Sequence, residues 1–276
     1  MSRFMGRERI ELKSPEEILA MRKSGLVTAA ALEAVRAQLV PGAQARDIDQ
    51  VAAEAIRQAG AEPNFLNYQG YPASICLSIN DVVVHGIPGS QVLRPGDLVS
   101  IDCGAVLNGW HSDSAITQAV GPVGARAEVL MEVTRKALWD GIAAFAQATY
   151  VGEIGAAIEA SVQAAEPSFA VLRDFVGHGI GRAMHMAPEV LNFASRQRGP
   201  KIRPGMVLAI EPMVVEGKPA TSTDRDGWTV RTVDASLSAH WEHTVARTET
   251  GIWVLTAPDG GEAELAARGI TIAPLA

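Results

Sequence analysis

Two stretches of this 276-residue chain repeat one another, and the repeat constrains the fold more than any other feature. Residues 93–102 read LRPGDLVSID and residues 202–211 read IRPGMVLAIE, at an offset of 109 positions. A His-x-x-Pro motif precedes each copy, at residues 85–88 and 185–188, and a His-x-acid motif follows each copy, at residues 111–113 and 240–242. The repeat predicts two similar half-domains related by a pseudo-two-fold axis.

Two segments with a helical spacing of apolar residues precede each copy. The first helix is predicted to begin at Ser14, which can form a capping box with Glu17, and to stop at Pro41-Gly42. The second is predicted to end at Gly60, and residues 124–147 and 153–165 predict the other pair. Strands are predicted at residues 74–79, 82–84, 98–103, 111–120, 208–215 and 239–246. The expected fold class is α/β (α+β), with helices flanking a β-sheet.

Composition and charge narrow the classes of function. Hydrophobic residues make up 47% of the chain, and 24 basic against 31 acidic residues give a net charge of −7, which argues against a DNA partner. No run of about 18 apolar residues could cross a membrane, and the N-terminus lacks the apolar core of an export signal. Cys76 and Cys103 are too few for a disulfide framework. We therefore expect a cytoplasmic protein with no membrane span.

The repeat brings four acidic side chains together. A pseudo-two-fold duplication places equivalent residues across a central cleft, and this gathers Asp102, Asp113, Glu211 and Glu242. Residues 108–109 are Asn-Gly, a strong hairpin signal, and this turn sets Asp102 opposite residue 115. Asp113 then points to the same face as Asp102, because side chains alternate along a strand. The sequence therefore predicts a cluster of carboxylates among apolar neighbours.

Such a cluster needs cations, because four carboxylates cannot all stay ionised in one cleft without them. For a single acid, a salt bridge or a solvated strand end is the alternative, but few basic residues lie near these four. His178 stands between glycines that let its ring approach a ligand, although a structural histidine is an alternative. A phosphate cradle would need different glycine spacing. The oxygen-rich set favours Mn, Fe(II) or Co(II), and two ions about 3.5–4 Å apart would use all five ligands.

Seven motifs together resemble the bacterial type I methionine aminopeptidases, over residues 14–254. They are residues 70–80 (GYPASICLSIN), 84–88 (VHGIP), 101–104 (IDCG), 111–113 (HSD), 177–181 (GHGIG), 209–213 (AIEPM) and 240–244 (HWEHT). The resemblance implies the pita-bread fold, a pseudo-two-fold pair of half-domains with an antiparallel sheet flanked by helices. It implies an N-terminal segment (1–13), a catalytic domain (14–255, with halves 14–121 and 122–255) and a C-terminal tail (256–276).

The resemblance also implies a role for each residue of the centre. Asp102 would bind one metal ion, Asp113 and Glu242 would bridge two ions, and His178 with Glu211 would serve the second ion. The cofactors would be two divalent ions per chain, of Co, Mn, Fe(II) or Zn. A metal-activated water would attack the peptide carbonyl, with Glu211 as general base and then general acid. His85 and His185 would contact the scissile amide.

A pocket for the methionine side chain is implied in the same way. Its expected lining is Phe65, Tyr68, Tyr71, Cys76, Met184 and Trp228. Phe65 and Met184 depart from the cysteine and phenylalanine expected there, and residues 186–187 are Met-Ala where an acidic stretch is expected. The implied substrate is the N-terminal (initiator) methionine of nascent polypeptides, which the protein would bind near the ribosome exit. The implied oligomeric state is a monomer.

Three alternatives are considered. An X-Pro aminopeptidase or prolidase carries a further N-terminal domain, for which the start of the first helix at Ser14 leaves little space. A type II methionine aminopeptidase carries a long insert between the positions of Glu211 and Glu242, where 30 residues stand here. A non-catalytic pita-bread module that binds protein partners has lost metal ligands, whereas all five are present. These comparisons favour the type I enzyme.

Overall fold

The structure is a computed structural model, and it describes residues 10–275. Their helices are α1 (Pro15–Arg36), α2 (Ala45–Gln58), α3 (Ala125–Gln147), α4 (Gly152–Gln163) and α5 (Glu262–Ala266). The strands are β1 (Glu62–Pro63), β2 (Ile75–Ile79), β3 (Val82–Val84), β4 (Leu98–Leu107), β5 (Trp110–Ala119), β6 (Ala170–Val171), β7 (Gly177–Gly179), β8 (Met186–Val190), β9 (Val207–Ile210), β10 (Met213–Val215), β11 (Thr221–Thr223), β12 (Val230–Thr232), β13 (Ser238–His240), β14 (Glu242–Arg247) and β15 (Ile252–Val254). Part of the predicted N-terminal segment, residues 1–9, lies outside the described residues, as does residue 276.

Helix α1 begins as predicted and ends earlier. The Ser14 hydroxyl accepts a hydrogen bond from the Glu17 amide, and the Glu17 carboxylate accepts one from the Ser14 amide. The predicted end at Pro41-Gly42 is wrong, because the helix stops at Arg36 and the chain continues in tight turns. These turns place Leu39, which is 4% exposed, in the core beneath α1 and α2. Burial of this side chain therefore outweighs the local helical preference.

The repeat appears as a symmetrical sheet. Among the described residues, a nine-stranded sheet has β4, β5, β14 and β9 as adjacent antiparallel strands. The first two strands come from the first copy and the last two from the second. Strand β4 begins at Leu98 and β9 begins at Val207, which reproduces the offset of the repeat. The two halves therefore meet where β5 pairs with β14.

The Asn108-Gly109 turn fixes the register of the first half. Both residues have positive φ, +52° and +75°, as the tight hairpin turn requires. Leu107 then faces Trp110, and Asp102 faces Ala115. The second pairing is the one that the sequence predicts.

Two predicted strands are each split in the structure. The segment 208–215 breaks after Ile210, because Pro212 has no N–H for the ladder. The chain re-forms as β10 in a second sheet, ordered β13-β10-β6. The segment 239–246 breaks at Trp241, whose amide donates to the Pro212 carbonyl. The two breaks therefore lie together, at the junction between the two sheets.

The helices cover one face of the large sheet. Ile101 and Cys103 of β4 belong to the buried cluster under α1 and α2, and Leu208 and Ile210 of β9 belong to the cluster under α3 and α4. The opposite face of the same strands is left for the acidic residues between them. Both cysteines are buried and unpaired. Within residues 10–275, no helix is both long and apolar enough for a bilayer crossing.

Candidate metal centre

Three of the four predicted carboxylates lie in one row across the central strands. Asp102 on β4 faces Ala115 on β5, and Ala115 in turn faces Glu242 on β14. Glu211 directly follows β9 and lies level with Glu242 in the β9–β14 register. Facing residues of antiparallel strands point to the same side of the sheet. The small side chain of Ala115 leaves room for the acids on either side of it.

A second row, two residues further along the strands, supplies the other two groups. His178 on β7 faces Ala209 on β9, which faces Thr244 on β14. The Thr244 hydroxyl accepts from the Asp113 amide at 3.0 Å and donates to the Asp113 carbonyl at 2.8 Å. Residues two apart on a strand share a face. The sheet therefore brings all four acids and His178 to one place.

The four acidic side chains are buried or half-buried, and no lysine or arginine of the described chain pairs with them in the cavity. Asp113 is 4% exposed and Glu242 is 2% exposed. Neither lysine nor arginine occurs among the described residues that line the cavity above them. One carboxylate oxygen of Asp102, one of Asp113 and one of Glu242 are buried with no hydrogen-bond partner. Since buried polar atoms are nearly always partnered, these oxygens fit a cation bound between them.

The electrostatic effect of this burial is large. Burial raises the pKa of Asp102 to about 7. Burial also raises the pKa of Glu211 well above its usual range, and the charges of Asp102 and Asp113 raise it further. Burial and then the charge of Glu242 do the same to the pKa of Asp113. A divalent cation would reverse these shifts, because it favours the ionised form of each acid.

The His178 ring is held in one orientation. Its Nδ1 donates to the Gly179 carbonyl at 2.9 Å, which leaves Nε2 unprotonated and 3.4 Å from a Glu211 carboxylate oxygen. A Cβ at position 177 or 179 would lie within 2.3 Å of a backbone oxygen of the neighbouring strand, so the flanking glycines allow this approach. Burial lowers the pKa of His178 to about 3, so the ring is neutral. A neutral imidazole with its other nitrogen bonded to a carbonyl is the usual state of a metal-binding histidine.

Two further predicted histidines lie at the rim of the same cavity. The His85 ring packs edge-on against Phe175 at 5.5 Å and near Trp228 at 6.2 Å. Nδ1 of His185 shares a hydrogen bond of 2.8 Å with the Tyr68 hydroxyl, at an exposed position. Burial lowers the pKa of His85 to about 4, and the neighbouring His185 adds to this effect. Both rings are therefore neutral groups that face the space beside the acids.

An apolar pocket adjoins the acids within a cavity of about 260 Å³. Phe65, Tyr71, Cys76 and Met184 are buried in one cluster, with Tyr68 and Trp228 packed against it. The Tyr71 hydroxyl donates to the carbonyls of Ile75 and Gly86, which fixes the ring as a wall. All six predicted pocket residues line this cavity, together with the five predicted metal ligands and both rim histidines.

The sequence reasoning missed some residues of the cavity. They are Gln69, Val84, Phe175, Val176, Met213 and His240. His240 could have been found, because it begins the second His-x-acid motif of the repeat. Its counterpart His111 does not line the cavity, and its ring is held by Asn64. The repeat therefore located the motif but did not distinguish the two histidines.

The duplicated fold and its acid-rich centre define a metal-dependent hydrolase of the pita-bread class. The model of metallopeptidase family M24 matches residues 19–249. A methionine aminopeptidase 1 from Mycobacterium tuberculosis is 50% identical over 93% of this chain and 98% of its own length, and one from Bacillus subtilis is 43% identical over 88% and 98%. The chain belongs to metallopeptidase family M24, and within it to the methionine aminopeptidases.

Solved structures agree with this assignment. A methionine aminopeptidase from Thermotoga maritima superposes with a TM-score of 0.87 at 40% identity, covering 90% of this chain and 99% of that one. A prolidase from Pyrococcus furiosus superposes with a TM-score of 0.71 at 22% identity, covering 89% of this chain and 65% of that one, which shows a shared fold alone. The predicted pita-bread fold is confirmed.

Proposed function

We propose that this protein removes the N-terminal methionine from nascent polypeptides and peptides by hydrolysing the first peptide bond. One observation supports this proposal above all. Buried carboxylate oxygens without partners lie beside an apolar pocket, in one cavity of about 260 Å³. The first feature fits bound cations, and the second fits an unbranched apolar side chain.

Two divalent ions, of Co, Mn, Fe(II) or Zn, would be held by Asp102, Asp113, His178, Glu211 and Glu242. Support for two ions comes from Glu242, which belongs to two separate groups of side chains whose ligand atoms lie within 4.8 Å of one another. When bound, such ions lower the pKa of water and polarise a carbonyl group. Carboxylate-rich sets suit Mn, and imidazole suits Fe and Zn, so a mixed set accepts several metals.

Glu211 is the proposed proton-transfer group. Its side chain lines the cavity together with the other acids and both histidines and is 14% exposed, so it can reach a substrate. A carboxylate can accept a proton from water and then release it to an amine, which suits this role. Glu211 would accept the proton of the attacking water and pass it to the leaving amine.

The rim histidines would hold the peptide bond. His85 and His185 both line the cavity, and His185 is oriented by Tyr68. His85 would accept a hydrogen bond from the amide N–H, and His185 would donate one to the carbonyl oxygen, which would align the bond with Glu211. An oriented donor of this kind stabilises the charge that develops on the oxygen.

The pocket would bind the methionine side chain. Cys76 and Met184 present polarisable sulfur to a thioether, while Tyr71 and Trp228, whose rings meet edge to face at 5.2 Å, close the wall. Burial raises the pKa of the Cys76 thiol well above its usual range, so the thiol stays neutral and apolar. A charged or β-branched side chain would fit this lining poorly.

The cellular setting is proposed on the same basis. Initiator methionines occur on new polypeptides in the cytoplasm, so we place the protein there, acting near the ribosome exit. We propose a monomer, as the family resemblance implies. Light scattering on a sizing column tests this state, and a mass twice that of the chain would contradict it.

The test of the function uses one protein and three peptides. Chelator-treated protein should be inactive on Met-Ala-Ser, and Co(II) or Mn(II) should restore cleavage. N-acetyl-Met-Ala-Ser should remain intact, because an aminopeptidase needs the free amine. Ala-Pro-Ser covers the prolidase alternative, and its preferred cleavage over Met-Ala-Ser would reject the proposal. A protein that binds metal and cleaves none of the three peptides would also reject it.

A further inference from the structure

His240 lies where the two sheets join, at the end of β13. Its backbone is held on both sides by Thr117 of β5: the His240 amide donates to the Thr117 hydroxyl at 2.9 Å, and that hydroxyl donates to the His240 carbonyl at 2.7 Å. The residue also pairs with Met213 of β10. The position of this side chain is therefore fixed by three strands.

The imidazole of His240 is aimed into the acidic centre. Its side chain is 2% exposed, and its Nε2 atom is buried without a hydrogen-bond partner. Nε2 lies 3.8 Å from one carboxylate oxygen of Glu211 and 4.0 Å from one of Glu242. Both distances exceed the hydrogen-bond range of about 2.7–3.2 Å. Direct contact with the acids therefore does not satisfy this nitrogen.

These separations fit three atoms that share one cation. Nitrogen and oxygen ligands lie about 2.0–2.2 Å from an ion such as zinc, so two ligands of one ion are at most about 4.4 Å apart. The candidate ligand atoms of Glu211, His240 and Glu242 all lie within 4.8 Å of one another. Asp113, His178 and Glu242 form a second group with the same property. Each group contains one histidine, and Glu242 belongs to both.

We propose that Nε2 of His240 is a metal ligand, so that the centre holds two histidine ligands, one in each group. The inference rests on the proposed function only in requiring metal at this centre. Imidazole suits Fe(II), Co(II) and Zn better than Mn, which prefers oxygen. A second imidazole should therefore shift the preference of one site away from Mn. If His240 instead acted only as a hydrogen-bond partner of Glu211, it would not bind the ion.

Proton NMR of the Co(II)-loaded protein in water distinguishes these roles. A histidine that binds Co(II) through Nε2 gives a strongly shifted, exchangeable signal from its Nδ1–H. We expect two such signals in the unmodified protein, and one in each of the variants His178→Asn and His240→Gln. One signal in the unmodified protein, or two in His240→Gln, would overturn the proposal.

A matched control comes from the neighbouring strand. His243 is a half-buried histidine of the same region, but its ring contacts Trp139 and the Thr256 hydroxyl on the helix side of the sheet. His243→Asn should therefore keep both shifted signals. If His240→Gln does not fold, the unmodified protein and His178→Asn still decide the question, since one shifted signal must remain when His178 is absent. No remaining signal in a folded, Co(II)-loaded His178→Asn variant would overturn the proposal.

Calorimetric titration gives an independent measure. His240→Gln should weaken one of two Co(II) sites at least about ten-fold, and Mn(II) binding at that site should weaken less. Equal affinities in the variant and the unmodified protein would contradict the assignment. Neither measurement uses peptide cleavage. A protein that shows two shifted signals but cleaves no peptide would therefore retain this inference and lose the proposed function.

Discussion

At the scale of single residues, the centre depends on what surrounds each acid. Ala115 faces both Asp102 and Glu242, and a larger side chain there would separate the two halves of the cluster. The Thr244 hydroxyl accepts a hydrogen bond from the Asp113 amide and donates one to the Asp113 carbonyl. These neutral neighbours keep the acids close without neutralising them. The negative charge is therefore available to a cation.

Glu211→Gln separates proton transfer from metal binding. Glutamine keeps the shape and one oxygen ligand but cannot carry a proton, so we expect metal content to stay near that of the unmodified protein. General acid–base groups contribute about 10²–10⁴-fold, so kcat should fall at least about 100-fold. Steady-state cleavage of Met-Ala-Ser and atomic absorption measure the two effects. Glu128→Gln, on the exposed face of α3, is the control, and full turnover by Glu211→Gln would remove this residue from the proton-transfer role.

His178 and His85 should differ in their effect on metal content. Nε2 of His178 points at the acids, whereas the His85 ring packs against Phe175 at the rim. His178→Ala should therefore retain less metal than His85→Ala after gel filtration, with affinity reduced at least about ten-fold. Atomic absorption measures the retained metal. Equal retention by both variants would contradict the ligand assignment.

At the scale of elements, the interrupted strands make the site. The breaks at Pro212 and Trp241 bring the chain from the large sheet into the second sheet, and Glu211, His240 and Glu242 lie beside those breaks. Unbroken strands would have kept these residues within one sheet. Because the chain passes into the second sheet at the breaks, that sheet forms an additional wall beside the acidic cluster.

Helix α1 is attached to the C-terminal part of the chain through Arg22. This buried arginine stacks near Trp253 at 5.1 Å and donates to four backbone carbonyls, those of Val254, Leu255, Ala257 and Pro258. Arg22→Met keeps much of the volume but leaves these carbonyls without donors, so we expect a loss of about 2–4 kcal/mol in the free energy of unfolding. Urea unfolding of chelator-treated protein measures it. Lys23→Met, at the next and exposed position, is the control, and equal midpoints for both variants would refute the expectation.

At the scale of the whole molecule, the acidic centre makes the stability of the metal-free protein depend on pH. The pKa of Asp102 is raised to about 7, and those of Asp113, Glu211 and Glu242 are raised well above their usual range, chiefly by burial. The folded protein therefore holds protons that the unfolded chain releases. The stability that these bound protons give is fully present below the acids' unfolded pKa of about 4. It is lost as the pH rises through the pKa values of the acids in the folded protein.

The buried histidines change the stability of the metal-free protein in the opposite direction, and they do so at lower pH than the acids. The pKa values of His178 and His240 are lowered to about 3 by burial, so their contribution is present above about pH 6.5 and is lost as the pH falls. Above about pH 7.5 these rings are almost entirely neutral in both states, so the acids dominate the pH response. We therefore expect the thermal midpoint of chelator-treated protein to fall as the pH rises from about 7.5 to 8.5.

The metal-loaded protein should behave differently over the same range. Bound ions keep the acids ionised, so no protons are lost from them and the midpoint should stay nearly level. Calorimetric scans of both forms at several pH values make the comparison. Parallel pH profiles for the two forms would show that the acids are not buried together as described.

The sequence by itself determined the local features and the composition of the centre. The capping box at Ser14, the Asn108-Gly109 turn and the pairing of Asp102 with residue 115 follow from interactions between near neighbours, which sequence motifs specify. The repeat added one long-range fact, since it predicts two similar halves around a central cleft, and this gathered the four acids. His178 was indicated separately, by its flanking glycines and by the family resemblance.

Tertiary structure alone decided where α1 ends, where the 239–246 segment breaks and which histidine faces the acids. Leu39 ends α1 early because burial in the core outweighs helical preference, and Trp241 interrupts its strand where it meets Pro212. His111 and His240 occupy equivalent motifs, yet Asn64 holds the ring of the first while strands from both sheets place the second in the cavity. These outcomes depend on contacts between residues far apart in the chain, which no local pattern encodes.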